Sequence, residues 1–81
     1  MKQIVFIQHA LDRLKERGIN KELAIQVLRD PDDVELESER RKIAQKLIKD
    51  RLLRVVYDDE EDSMVVISAY ITSKVSKYLR R

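Results

Sequence analysis

The stretch His9-Ala10-Leu11-Asp12-Arg13-Leu14-Lys15-Glu16-Arg17-Gly18-Ile19-Asn20 decides how this chain folds. On a 3.6-residue helix Ala10, Leu11 and Leu14 share one stripe, while His9, Arg13 and Arg17 share another that spans roughly 12 Å. Gly18 supplies the left-handed backbone favoured just beyond a helix end. Asn20 is placed to accept from the N–H of Glu22 or Leu23 and so to start a second helix at once. The expected product is a tight corner of two helices, with a histidine and two arginines along one edge suited to a polyanion.

Outward from this corner, Gln3 to Ile7 is a short run, β-branched at Ile4, Val5 and Ile7, and reads as an edge strand leading into the first helix. The second helix is expected from Lys21 to Arg29, and Asp30-Pro31 ends it because the residue before proline disfavours helix. Val34 and Leu36 alternate with Glu35 and Glu37, a half-exposed strand. Ser38 to Arg41 reads as a loop. Two further β-like runs, Lys42 to Lys49 and Arg51 to Tyr57, flank Lys49-Asp50 as a hairpin turn. Asp58 to Asp62, five consecutive acids, reads as a solvated connection, exposed and mobile, before a last strand from Ser63 to Ile71.

The pattern therefore gives one α+β domain over residues 1–81, with two N-terminal helices packed on a twisted antiparallel sheet in the order β-α-α-β-β-β-β. A register with Tyr57 opposite Val65 places Leu53, Val55 and Tyr57 on one apolar face with Val65, Ile67, Ala69 and Ile71. The other face then carries Arg54 and Tyr70 beside Ser68 and Thr72.

The 81 residues are 43% hydrophobic and 40% charged, with one Gly and one Pro, a balance that fits a folded domain rather than a disordered tail. No cysteine is present and His9 is the single histidine, which excludes disulfides, thiolate metal sites and multi-histidine zinc. No metal and no cofactor are expected, and carboxylates are the only ligands left that could hold a metal. The apolar run Met64 to Ile71 is far too short for a membrane span and no signal-peptide pattern is seen, so a cytoplasmic protein is expected, with no membrane contact.

Net charge is +2, yet it is segregated: residues 30–39 hold six acids and no base, residues 40–54 seven bases and one acid, and residues 72–81 four bases and no acid. This segregation fits either solvated surfaces or a basic groove for nucleic acid.

His9-Ala10 with Arg13 and Arg17-Gly18-Ile19, the strand Leu53-Arg54-Val55-Val56-Tyr57, and the closing Tyr70-Ile71-Thr72 together resemble a family of short prokaryotic proteins akin to BrnT and RelE/ParE-type toxins, within the barnase, EndoU, colicin and RelE superfamily. The resemblance implies a RelE-like fold and metal-independent RNA cleavage of toxin–antitoxin type, with a small antitoxin protein as partner. It matches His9 to the helix histidine, Arg54 to the basic residue on the third sheet strand, and Tyr70 with Thr72 to the polar end of the last strand.

RNA is cleaved without metal when a base takes the 2′-OH proton, an acid protonates the leaving 5′-oxygen and cations stabilise the phosphorane. His9, Arg54 and Tyr70 are the candidate catalytic residues, and Arg13, Arg17, Thr72, Lys74 and Lys77 the candidate RNA or phosphate contacts. Each has a plainer alternative: His9 packed on the sheet, Arg13 and Arg17 paired with acids on their own helix, Tyr70 capping the core. The expected partners are RNA, ribosome-bound mRNA included, and a small antitoxin; no DNA contact is expected of this chain alone. The alternative function is a non-catalytic RNA- or protein-binding module that uses an exposed strand edge and the basic tail.

Overall fold

The computed structural model describes residues 2–79. Strand β1 (Gln3–Phe6) leads into helices α1 (Gln8–Glu16) and α2 (Lys21–Arg29). Strands β2 (Asp33–Leu36), β3 (Arg41–Ile48), β4 (Arg51–Asp59) and β5 (Ser63–Thr72) follow, then a helical turn α3 (Val75–Tyr78). All five strands join one sheet in the order β1-β5-β4-β3-β2. β1 runs parallel to β5 and the other neighbours are antiparallel. The sheet is thus mixed rather than wholly antiparallel, and α3 adds an element to the expected order. No helix is long and apolar enough to cross a membrane among the described residues.

The corner between α1 and α2 closes through backbone geometry. Gly18 takes φ 63°, the Ile19 N–H donates to the Leu14 carbonyl at 2.9 Å and the Gly18 N–H to the Lys15 carbonyl at 3.3 Å. These two bonds satisfy carbonyls that a helix end leaves without partners, and Leu14 and Ile19 are both buried beside them. Asn20 then accepts from the Glu22 N–H at 2.8 Å and α2 begins. The helices lay Ala10, Leu14, Ala24, Val27 and Leu28 on Ala44, Leu53, Val55, Tyr57, Val66 and Ala69 of the sheet. Alanines on both sides of this layer let backbone and sheet approach closely.

The expected β4–β5 register is corrected. Leu53 pairs with Ile71, Arg54 with Tyr70 and Val56 with Ser68; the register then shifts, so that Tyr57 pairs with Val66. Ile67 is the extra residue of this bulge, and one added residue reverses the facing of what lies beyond it. Val66, rather than Val65, therefore enters the helix-side core with Tyr57, while Val65 sits opposite Asp58.

The acidic connection is also shorter than expected. Asp58 and Asp59 belong to β4 and are half-buried: Arg41 Nε donates to Asp58 at 2.5 Å, and Asp59 takes Lys2 at 2.5 Å and Lys42 at 2.6 Å. Cations on the neighbouring strand β3 and just ahead of β1 neutralise what the linear sequence presents as self-repulsion. The hydrogen bond from Arg41 holds the Asp58 carboxyl below its usual range, and those from Lys2 and then Lys42 do the same for Asp59. A depressed folded pKa contributes stability that is present above the unfolded value, near 4, and is lost as pH falls through the folded value. The melting temperature is therefore expected to drop on acidification below about pH 4. Asp59→Asn should flatten that acid limb while lowering the neutral-pH plateau, which a pH series of thermal melts reads directly.

Candidate functional site

The face of the sheet turned away from α1 and α2 is built around one cation. In β4 every second residue points away from the helices, and at Arg54 this parity sends a guanidinium onto the far face, where the residue is only 2% exposed. A charge so withdrawn from water must be paired and hydrogen-bonded. Register supplies the partners, because Gln45 and Tyr70 stand directly opposite Arg54 on the two neighbouring strands. Arg54 Nε donates to Gln45 Oε1 at 2.9 Å, Nη1 donates to the Tyr70 hydroxyl, and Nη2 donates to Glu35 Oε2 at 2.6 Å. The tail completes the enclosure: the Tyr78 ring of α3 lies 3.8 Å from the guanidinium carbon, a cation–π stack.

Gln45, fully buried, ties this centre to the edge of the sheet. Its Nε2 donates to Asp33 Oδ2 at 2.9 Å and to the Tyr78 carbonyl at 3.1 Å, so both ends of the amide are fixed. No buried side-chain nitrogen or oxygen lacks a partner among the described residues. Asp33, Glu35, Lys77 and Tyr78 line an open hollow of about 430 Å³ beside the arginine. Glu35, the carboxylate partner of Arg54, reaches water, with 43% of its side chain exposed.

Of the residues singled out in the sequence, Arg54 and Tyr70 are brought together and His9 is not. His9 lies exposed in the first turn of α1, on the helical side of the sheet, and its imidazole makes no hydrogen bond or ion pair among the described residues. Arg13 is paired with Glu16 at 2.9 Å. Arg17 reaches over the sheet, where Nη1 donates to the Ala69 carbonyl at 2.8 Å and approaches Ser68 Oγ at 3.4 Å. The expected edge of three basic side chains is thereby broken up, with Arg13 and Arg17 engaged by different partners and His9 by none among the described residues.

Thr72 Oγ1 accepts from the Lys74 N–H at 3.1 Å and helps turn the chain into α3. The Lys77 ammonium stands 5.2 Å from the Tyr78 ring, on the rim of the hollow. Arg80 and Arg81 lie outside the described residues.

Sequence reasoning missed Asp33, Glu35, Gln45 and Tyr78. Gln45 carried a signal, as the one uncharged polar residue inside the run from Ile43 to Ile48. Glu35 carried none, because alternation with Val34 and Leu36 marks an outward face whether or not that face meets another charge. No group of three or more His, Asp or Glu side chains able to hold a metal is found among the described residues.

A small α+β domain with a buried arginine centre on the open face of its sheet is thus the class that fold and site define. The chain belongs to the DUF4258 family, described as a domain of unknown function, whose match spans residues 6–71 and so takes in Glu35, Gln45, Arg54 and Tyr70. No curated protein and no solved structure matches the chain.

Proposed function

We propose that this chain is a metal-independent endoribonuclease of toxin–antitoxin type, with a RelE-like sheet and a small antitoxin protein as its regulatory partner. The observation that carries the reading is the trio Glu35, Arg54 and Tyr70, a carboxylate, a guanidinium and a phenol hydrogen-bonded on one sheet face beside a hollow rimmed by Lys77. In this reading Glu35 takes the proton of the RNA 2′-OH, whose oxygen attacks phosphorus. The bond from phosphorus to the 5′-oxygen breaks, and Tyr70 gives its proton to that leaving oxygen. Arg54 exchanges its contact with Glu35 for the phosphorane oxygens, where its planar donor fork fits. Solvent then returns a proton to Tyr70 and removes the one on Glu35. The products end in 2′,3′-cyclic phosphate, and chelators have no effect.

Purified protein incubated with mixed RNA and with translating ribosomes tests this reading. Glu35→Gln is expected to slow cleavage by about 100-fold, the usual contribution of a positioned base. His9→Ala is expected to retain the wild-type rate, since His9 stands on the other side of the sheet. A Glu35→Gln variant as fast as wild type would remove Glu35 from the chemistry.

A second reading, a non-catalytic binding module of the same fold, is favoured by one feature: all three nitrogens of Arg54 already have partners, and Asp33 and Glu35 place two carboxylates at the mouth of the hollow. Wild-type protein that cleaves neither RNA nor ribosome-bound message selects this module.

A further inference from the structure

The outer strand β2 offers a strand edge, an apolar stripe and an acidic stripe in one place. β2 bonds only to β3, with Asp33 opposite Gln45, Val34 opposite Ala44, Glu35 opposite Ile43 and Leu36 opposite Lys42. The Glu37 N–H donates to the Arg41 carbonyl at 2.9 Å, so this pair sits on a hydrogen-bonded rung of the same register. Alternation then turns the N–H and C=O of Asp33 and Glu35 inward to β3, and those of Val34 and Leu36 outward, with no strand beyond them. The side chains of these two outward residues are also exposed: Val34 is 38% and Leu36 is 70% accessible. Unpaired backbone and apolar side chains at an edge are what an added strand covers.

Charge identifies the occupant. Asp33 and Glu35 lie on the opposite face of β2 from Val34 and Leu36, with Glu37 just beyond the strand on the same register; Asp33 and Glu39 have no cation in an ion pair among the described residues, and Glu37 has only the through-space influence of Arg41. A second copy of β2 laid antiparallel on this edge would set carboxylates against carboxylates, which is destabilising for directly opposed strands. RNA would meet the same negative edge. We infer that β2 is the docking strand for an extended segment of a partner protein in which lysine or arginine alternates with β-branched or aliphatic residues. Its apolar side chains cover Val34 and Leu36, and its cations face Asp33, Glu35 and Glu37. The docking does not require RNA cleavage and holds for a catalytic or a non-catalytic protein; in a catalytic one the docked cation meets Glu35, the proposed base, and competes with Arg54 for it.

The probe is a short acetylated, amidated peptide alternating lysine and valine, titrated into isotope-labelled protein and followed by amide resonances. The expected result is saturable shifts centred on Val34 and Leu36, slowed hydrogen exchange of their two N–H groups, and weakening as salt rises. The matching glutamate and valine peptide and a short RNA oligonucleotide should leave those resonances in place. Leu36→Pro removes an outward N–H without touching a β2–β3 bond and should weaken the basic peptide at least tenfold. Glu37→Lys, which keeps the backbone donor and reverses a charge, should weaken it as well, so a Leu36→Pro variant that fails to fold still leaves a test. Equal binding of basic and acidic peptides, shifts centred elsewhere, no binding at all, or dimerisation through β2 without peptide would each overturn the inference.

Discussion

Replacing Arg54 by alanine is expected to lower the proposed RNA cleavage by about 100-fold or more, and to lower the melting temperature of the same protein sample. Both effects have one cause. Arg54 is the group on which Glu35, Gln45, Tyr70 and Tyr78 converge, so its removal takes away the cation that the proposed mechanism assigns to the phosphorane and also strands Gln45 Oε1. A buried acceptor left without its donor costs about 1 to 3 kcal/mol. Arg54→Lys separates the two consequences. It keeps the charge but presents one compact ammonium where three separate nitrogens now bond, so stability should recover in part and cleavage should not. Measured by denaturant unfolding alongside a cleavage assay, an Arg54→Ala protein that keeps both wild-type stability and wild-type rate would show that this centre organises neither.

The second large effect is expected on the helical side of the sheet. Leu53 is fully buried at the middle of β4, with neighbours on both adjacent strands and the helices above. Leu53→Ala should cost about 3 to 5 kcal/mol through lost burial and the cavity left behind. A chain of 81 residues holds only roughly 4 to 12 kcal/mol of net stability, so this single change should leave much of the protein unfolded at 37 °C. Leu36→Ala is the matched control. Being 70% exposed on an edge, Leu36 should lose no more than about 0.5 kcal/mol on truncation, and the contrast between the two unfolding midpoints measures how far burial rather than residue type sets stability.

The parts of the fold that were legible in the sequence are those settled by local chemistry. Gly18 and Asn20 fix a helix end and a helix start through bonds to residues within a few positions, so their reading needs no knowledge of the rest of the chain. The parity of β4 was legible too, which is why Arg54 and Tyr70 were expected on one face and stand directly opposite each other. What could not be read is what depends on distant register. The bulge at Ile67 exchanges Val65 for Val66 in the core, and nothing in an unbroken β-branched run marks where an extra residue will sit. The parallel docking of β1 on β5 likewise depends on the sheet having an edge to offer, not on any property of Gln3 to Phe6.

The candidate site divides the same way. Two of its members announce themselves as polar residues on an apolar strand, whereas Glu35 and Tyr78 arrive from an edge strand and a tail whose local patterns carry no sign of an arginine nearby. His9 shows the converse. It is the chain's single histidine and opens the helix that leads into the corner, yet position in the sequence says nothing about which side of the sheet a helix will cover.

The pairing of Gln3 with Ser63 has a consequence in time. Sixty residues separate these partners, and at synthesis rates of about 5 to 20 residues per second β1 waits roughly 3 to 12 seconds before the strand that will hold it exists. The bonds that close the helical corner join residues close in sequence and are available during that interval, whereas the sheet closes only after β5 has been made. A nascent chain interrupted before Ser63 would carry β3 and β4, on which α2 packs, but would leave α1 without the β5 surface that buries it, and its first strand would stay open to pairing with another chain.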